Sequence, residues 1–165
     1  MSRPHRLPVA GCSGGYRHFL TICTRDRRPH FVDCSVVGLT TDHFIQTATL
    51  EGFEILAYCF MPDHLHALVE GLTEDADLRR FVRLAKQRAG FWFARERHER
   101  LWQESFFDRT LRQEDDLVDV IRYVIDNPVR AGLVDAQASY RFWGSQKYSR
   151  EEILEFIQDA RPRRV

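Results

Sequence analysis

No run of apolar residues in the sequence approaches the length of a membrane span, which sets a membrane-inserted helix aside. A net charge is missing too: 24 Lys and Arg balance 24 Asp and Glu, so global electrostatics announces neither a nucleic acid nor an anionic surface as partner. The four cysteines, Cys12, Cys23, Cys34 and Cys59, contain no Cys-x-x-Cys pair, and they read as reduced thiols, with Cys23 and Cys59 in apolar runs expected to be buried. The start, Met1-Ser-Arg-Pro-His-Arg6, has no apolar signal-peptide core, and the expected setting is the bacterial cytoplasm, beside the nucleoid, with no membrane association. Repeats and low-complexity tracts are absent. What remains is 165 residues, 44% hydrophobic and 29% charged, enough for one domain to bury a core without disulfides.

The charge that cancels globally is unevenly spread. Between Arg79 and Arg100 stand eight Lys or Arg against only Glu96 and Glu99, and Arg161-Pro-Arg-Arg164 is basic as well. Residues 1–15, with two prolines and three glycines, suggest a loose arm. Tyr16 to Thr24 is dominated by β-branched and aromatic residues and predicts a strand. Asp33 can cap a helix to about Leu50, weakened at its start by Gly38 and Thr40-Thr41. Phe53 to Met61 and His64 to Glu70 predict a hairpin about Pro62-Asp63. Leu78 to Glu99 predicts a long helix whose Leu78, Phe81, Val82, Ala85, Ala89, Trp92 and Phe93 pack, while Arg79, Arg83, Lys86 and Arg97 line a flank that is either a solvated face or a phosphate contact. Leu101 to Arg112 contains a fourth strand. Glu114-Asp-Asp opens a further helix with Leu117, Val120, Ile121, Val124 and Ile125 as its buried stripe, expected to stop at Pro128 because the residue before proline disfavours helical angles. A short amphipathic helix from about Arg150 to Gln158 follows.

This order of elements predicts an α+β fold, a ferredoxin-like antiparallel sheet with helices on one face plus a C-terminal helical extension. The expected division is an arm at 1–15, a catalytic domain at 16–128 and an extension at 129–165 packed on the same domain.

In a strand alternate side chains share a face, so His64 and His66 project together, and two neutral imidazoles make half of a divalent-metal site with Asp63 as an oxygen ligand candidate. Such a pair is more often incidental. Tyr123 and Asn127, four apart on a helix, share a face beside the apolar stripe. Separately they read as a packing tyrosine and a helix-ending turn. Together the four residues would place a cation that polarises a phosphodiester beside a phenolic nucleophile.

Cys59-Phe-Met-Pro-Asp-His-Leu-His-Ala-Leu-Val-Glu70 and Tyr123-Val-Ile-Asp-Asn-Pro-Val-Arg-Ala-Gly-Leu-Val134 resemble the two signature blocks of the REP-associated tyrosine transposases, relatives of the insertion-sequence single-tyrosine transposases of the HUH endonuclease superfamily. Thr24-Arg-Asp-Arg-Arg-Pro-His-Phe31, Phe107-Asp-Arg-Thr-Leu-Arg112 and Trp143-Gly-Ser145 also look familial. The resemblance implies His64 and His66 as metal ligands for Mg²⁺ or Mn²⁺, Tyr123 as nucleophile, and Asn127 where relatives often place glutamine as a third ligand, with Asp63 as its rival. It further implies single-stranded DNA folded into REP-like hairpins as substrate, a 5′-phosphotyrosine intermediate, and a monomer or homodimer. Two other classes compete on the residues alone. A non-catalytic ferredoxin-like module would bind nucleic acid on an open sheet, but the aromatic strand signature for that is missing. A zinc hydrolase would lack a third histidine in a short motif and leave Tyr123 unexplained.

Overall fold

The computed structural model describes residues 15–112 and 115–159. Most of the expected arm, with Cys12, the helix-opening Glu114 and the basic tail at Arg161-Pro-Arg-Arg164 lie outside the described residues. Among the described residues five strands form one antiparallel sheet: β1 (Arg17–Cys23), β2 (Phe53–Met61), β3 (His64–Gly71), β4 (Phe107–Thr110) and β5 (Trp143–Gly144), in the order β4-β1-β3-β2-β5. The central 4-1-3-2 arrangement is the ferredoxin-like one that the sequence predicts.

Strand alternation sorts the sheet into two chemistries. Leu20, Ile22, Leu65, Ala67 and Val69 face α1 (Cys34–Leu50) and α2 (Leu78–Arg97), which share one side and enclose the larger core with Phe44, Phe81, Val82 and Phe93. The other side is covered by α3 (Leu117–Arg130) and α4 (Arg150–Asp159) of the C-terminal part, where Ile121, Val124, Ile125, Ile153 and Ile157 meet Ala57, Cys59, Met61 and Leu68. A register shift between Ile55 and Ala57 lets β2 feed both cores, since a bulge reverses the alternation. β5 pairs Trp143 with Cys59 and Gly144 with Tyr58, and the Tyr58 hydroxyl would lie only 2.7 Å from a Cβ at Gly144, so no larger residue fits there without displacing the ring. Helix α1 is continuous despite Gly38 and the threonines. Asp33 caps it by accepting from the Ser35 amide at 2.8 Å, and Thr41 and Thr47 turn their hydroxyls back onto the Val37 and His43 carbonyls.

Some expectations fail, and Trp92, expected on the packed face of α2, is 41% exposed. Pro128 does not end α3; it lies inside the helix and is buried, and the helix runs on to Arg130. Proline removes the N–H that would bond the Val124 carbonyl. The Asn127 amide supplies the missing donor, reaching the Tyr123 carbonyl at 2.8 Å and the Val124 carbonyl at 3.2 Å, while Pro128 packs into the second core. Cys59 is buried as expected, whereas Cys23 is only half-buried.

Candidate active site

Asp63, His64 and His66 sit at the head of the β2–β3 hairpin, and the end of β1 holds that turn in place: the Thr24 amide and hydroxyl both donate to the Asp63 carbonyl at 3.0 Å. Cross-strand pairing sets Cys23 opposite His64 and Thr21 opposite His66, so these side chains share the α3 side of the sheet. The two imidazoles meet edge to face, and their Nε2 atoms lie 3.1 Å apart. Each Nδ1 is held from behind. Asp63 Oδ1 lies 2.6 Å from His64 Nδ1, and Thr21 Oγ1 lies 3.0 Å from His66 Nδ1. With Nδ1–H of His64 donating to the carboxylate, its Nε2 presents a lone pair toward His66 Nε2.

Burial above all, with His64, Arg27 and Arg130 adding to it, pushes His66 down to about 4, which leaves that ring neutral at neutral pH. Two imidazole nitrogens 3.1 Å apart and braced through their far nitrogens fit a divalent cation, for which neutral imidazole is a good ligand. Among the described residues no three His, Cys, Asp and Glu side chains converge as a metal cluster, so any further ligands would come from an amide oxygen, substrate or water. Asp63 does not join the two nitrogens. It stands on the Nδ1 side of His64, with its second oxygen 3.0 Å from Arg27 Nε, a position that braces the His64 ring.

Helix α3 brings the second half of the site over this face. Asp116 caps its first turn by accepting from the Val118 and Asp119 amides, and the Ile121, Val124, Ile125 and Pro128 stripe fixes its rotation on the sheet. Tyr123 then falls on the opposite flank, 45% exposed, with its ring edge-on to Phe19 at 5.6 Å. Phe19 in turn stacks on His66 at 5.3 Å. A single chain thus brings the candidate nucleophile and the histidine pair together across one bridging ring. Tyr58 and Tyr140 are poorer nucleophiles: burial raises the Tyr58 phenol, and Tyr140, pushed up to about 12 chiefly by burial, donates its hydroxyl to the Phe60 carbonyl. Asn127 lies one turn below Tyr123 with its amide nitrogen committed to two backbone carbonyls, which leaves Oδ1 as its remaining coordinating atom.

The basic flank of α2 lies elsewhere. Arg79, Arg83 and Lys86 line a groove of about 500 Å³ with Trp102, Gln103, Glu104, Phe106 and Asp108, beyond the edge strand β4. Lys86 is partly used up there, donating to the Gln103 and Glu104 carbonyls at 2.8 and 2.9 Å, and burial lowers its ammonium. Arg97 does not join this groove; it pairs with Asp33 at the far end of the helix.

Four contributors escape a reading of the sequence: Phe19, Thr21, Arg27 and Arg130. The first three act through strand pairing and turn geometry. Arg130 carried a readable signal, seven residues or two helical turns after Tyr123, but only for a helix that passes through proline.

Comparison with known proteins bears on the family and the fold. A family model described as "Transposase IS200 like" matches residues 13–127. A Haemophilus influenzae protein assigned as a REP-associated tyrosine transposase is 26% identical over 151 residues, covering 84% of this chain and 85% of that one. The fold is similar to that of a REP-associated tyrosine transposase solved bound to a REP hairpin, with a TM-score of 0.70 at 24% identity over 87% of this chain and 82% of that one. A Deinococcus radiodurans R1 structure assigned as a transposase gives a TM-score of 0.52 at 23% identity, covering 77% of this chain and 97% of that one.

Proposed function

The chain belongs to the IS200-like transposase family, and from that premise we propose that it cleaves and rejoins single-stranded DNA next to a REP-like hairpin through a covalent phosphotyrosine on Tyr123. The observation that carries the reading is the Tyr123–Phe19–His66 stack, which puts an exposed phenol beside a braced imidazole pair. In the forward step a bond forms between Tyr123 Oη and the scissile phosphorus as the bond from phosphorus to the 3′ oxygen breaks. The phenolic proton is lost and the departing 3′ oxygen gains one. The 5′ end stays on the protein, and because one phosphodiester replaces another, attack by a 3′-hydroxyl reverses the step without ATP.

His64 and His66 would hold Mg²⁺ or Mn²⁺, with Asn127 Oδ1 as a third protein ligand; when bound, the ion supplies Lewis-acid polarisation of the phosphate. Asp63 and Thr21 orient the two rings, Arg27 fixes Asp63, and Phe19 spaces the tyrosine from the histidines. The groove with Arg79 and Arg83 is a second contact for the hairpin, beyond the β4 edge of the same sheet. A non-catalytic sheet platform fits less well, since helices cover both faces of the sheet and leave no open array of strand aromatics. Incubation with a hairpin-flanked oligonucleotide and Mn²⁺ tests the proposal: a denaturation-resistant protein–DNA adduct is expected, and its absence across a panel of hairpins from the gene's own neighbourhood would argue for binding alone.

A further inference from the structure

The exposed ion pairs of this protein tell its arginines apart. Arg27, Arg28, Arg80, Arg97 and Arg109 each meet a carboxylate. Arg130 is one of the arginines that meet none among the described residues. Its guanidinium instead lies over the Tyr123 ring, 4.7 Å from the centroid. This placement depends on the failed helix stop. Two turns of α-helix bring residue 130 beneath residue 123, so the continuation through Pro128 is what puts an unneutralised cation beside the candidate nucleophile. At the open surface a guanidinium gains little from lying on an aromatic ring. Beside a pair of imidazoles and a phenol it has all the donors needed to grip a tetrahedral anion with two parallel N–H bonds.

We propose that Arg130 is a phosphate-binding catalytic residue: its fork holds the non-bridging oxygens of the scissile phosphate against Tyr123 and remains on the phosphotyrosine after cleavage. The proposal rests on the strand-cleavage reading above. No proton moves through Arg130. It contributes charge and position, and these matter most as the phosphorus becomes five-coordinate and its equatorial oxygens gain charge. The same residue has a purely structural alternative, because a cation in the last turn of a helix complements the C-terminal carbonyls. Lysine would preserve that role but not a bidentate grip.

The test compares R130Q and R130K with the wild type in two assays. In single-turnover cleavage R130Q is expected to lose roughly 100-fold, the usual cost of deleting one pre-organised transition-state donor, with R130K in between. In a Tyr123→Phe background, where no reaction intervenes, R130Q is expected to reduce the slope of log affinity against log salt for a single-stranded oligonucleotide by about 0.7, one phosphate's worth. Adduct formation by R130Q within about threefold of wild type, or by R130K at the full wild-type rate, would overturn the assignment, as would an unchanged salt slope. These results stay separate from failure of the parent reading, which shows instead as no adduct from the wild type.

Discussion

Asn127 Nδ2 donates to the Val124 carbonyl at 3.2 Å, the acceptor that Pro128 leaves without its helical partner. An asparagine before a proline, ordinarily a signal to end a helix, here repairs the one that carries the nucleophile.

That repair predicts a non-additive pair of variants. Asn127→Ala is expected to cost about 1 kcal/mol of stability, the net worth of one intramolecular hydrogen bond. In a Pro128→Ala background the restored backbone amide bonds the Val124 carbonyl directly, and the loss on removing Asn127 should shrink. Urea unfolding of both singles and the double measures the coupling; strictly additive losses would mean that Asn127 does not serve the proline gap.

The braces behind the histidines should govern metal demand. Thr21→Val keeps shape but loses the contact to His66 Nδ1, and Asp63→Asn weakens the hold on His64. Each is expected to raise the Mn²⁺ concentration needed for half-maximal cleavage by about 10 to 100-fold, as loss of a ligand's supporting partner typically does. Removal of metal by a chelator should stop cleavage in all forms. Titration curves that overlay the wild type would contradict the bracing role.

His18 gives a pH dependence independent of the site. It is 1% exposed on the α1/α2 side of the sheet, beside Thr110, and burial pushes it down from 6.5 to about 4. The folded state therefore refuses a proton that the unfolded state accepts. Stability is fully present above about pH 6.5 and is lost as pH falls toward about 4. Denaturation midpoints between pH 7 and pH 4 should fall less steeply for His18→Gln than for wild type; parallel curves would remove His18 from the account.

Much of this could be read from the residues in order, because it depends on local rules. The period-two pattern through His64, Leu65, His66 and Ala67 puts the histidines on one face, and the apolar stripe of α3 turns Tyr123 away from the core. Reading stops where a partner comes from far along the chain. Thr21 gains its contact to His66 only when β1 pairs with β3, and the hold that Arg27 and His64 have on Asp63 from both sides is likewise a product of the fold. Arg79, Arg83, Lys86 and Arg97 look equivalent along the helix, yet loop carbonyls take Lys86 and Asp33 takes Arg97. Pro128 misled because the rule for proline is a backbone rule, and here a side-chain amide and a buried ring offset its cost.

The groove makes a claim about binding. Arg79→Glu together with Arg83→Glu should weaken hairpin DNA and lower the salt slope by about 0.9 for each duplex phosphate lost. Lys86→Met should instead lower the melting temperature, since the Gln103 and Glu104 carbonyls lose their donor. A salt slope untouched by the double reversal would place the hairpin elsewhere on the molecule.

The proposed mechanism turns on attack of Tyr123 on the DNA backbone. A hairpin oligonucleotide labelled separately at each end, incubated with Mn²⁺ and wild-type or Tyr123→Phe protein, decides it when the adduct is digested and its attachment site mapped by mass spectrometry. Expected are a wild-type adduct on Tyr123 that carries only the fragment 3′ of the break, a released fragment ending in a 3′-hydroxyl, and no adduct from Tyr123→Phe despite unchanged folding. An adduct that persists in Tyr123→Phe, or that maps to Tyr16, Tyr58, Tyr140 or Tyr148, would contradict it.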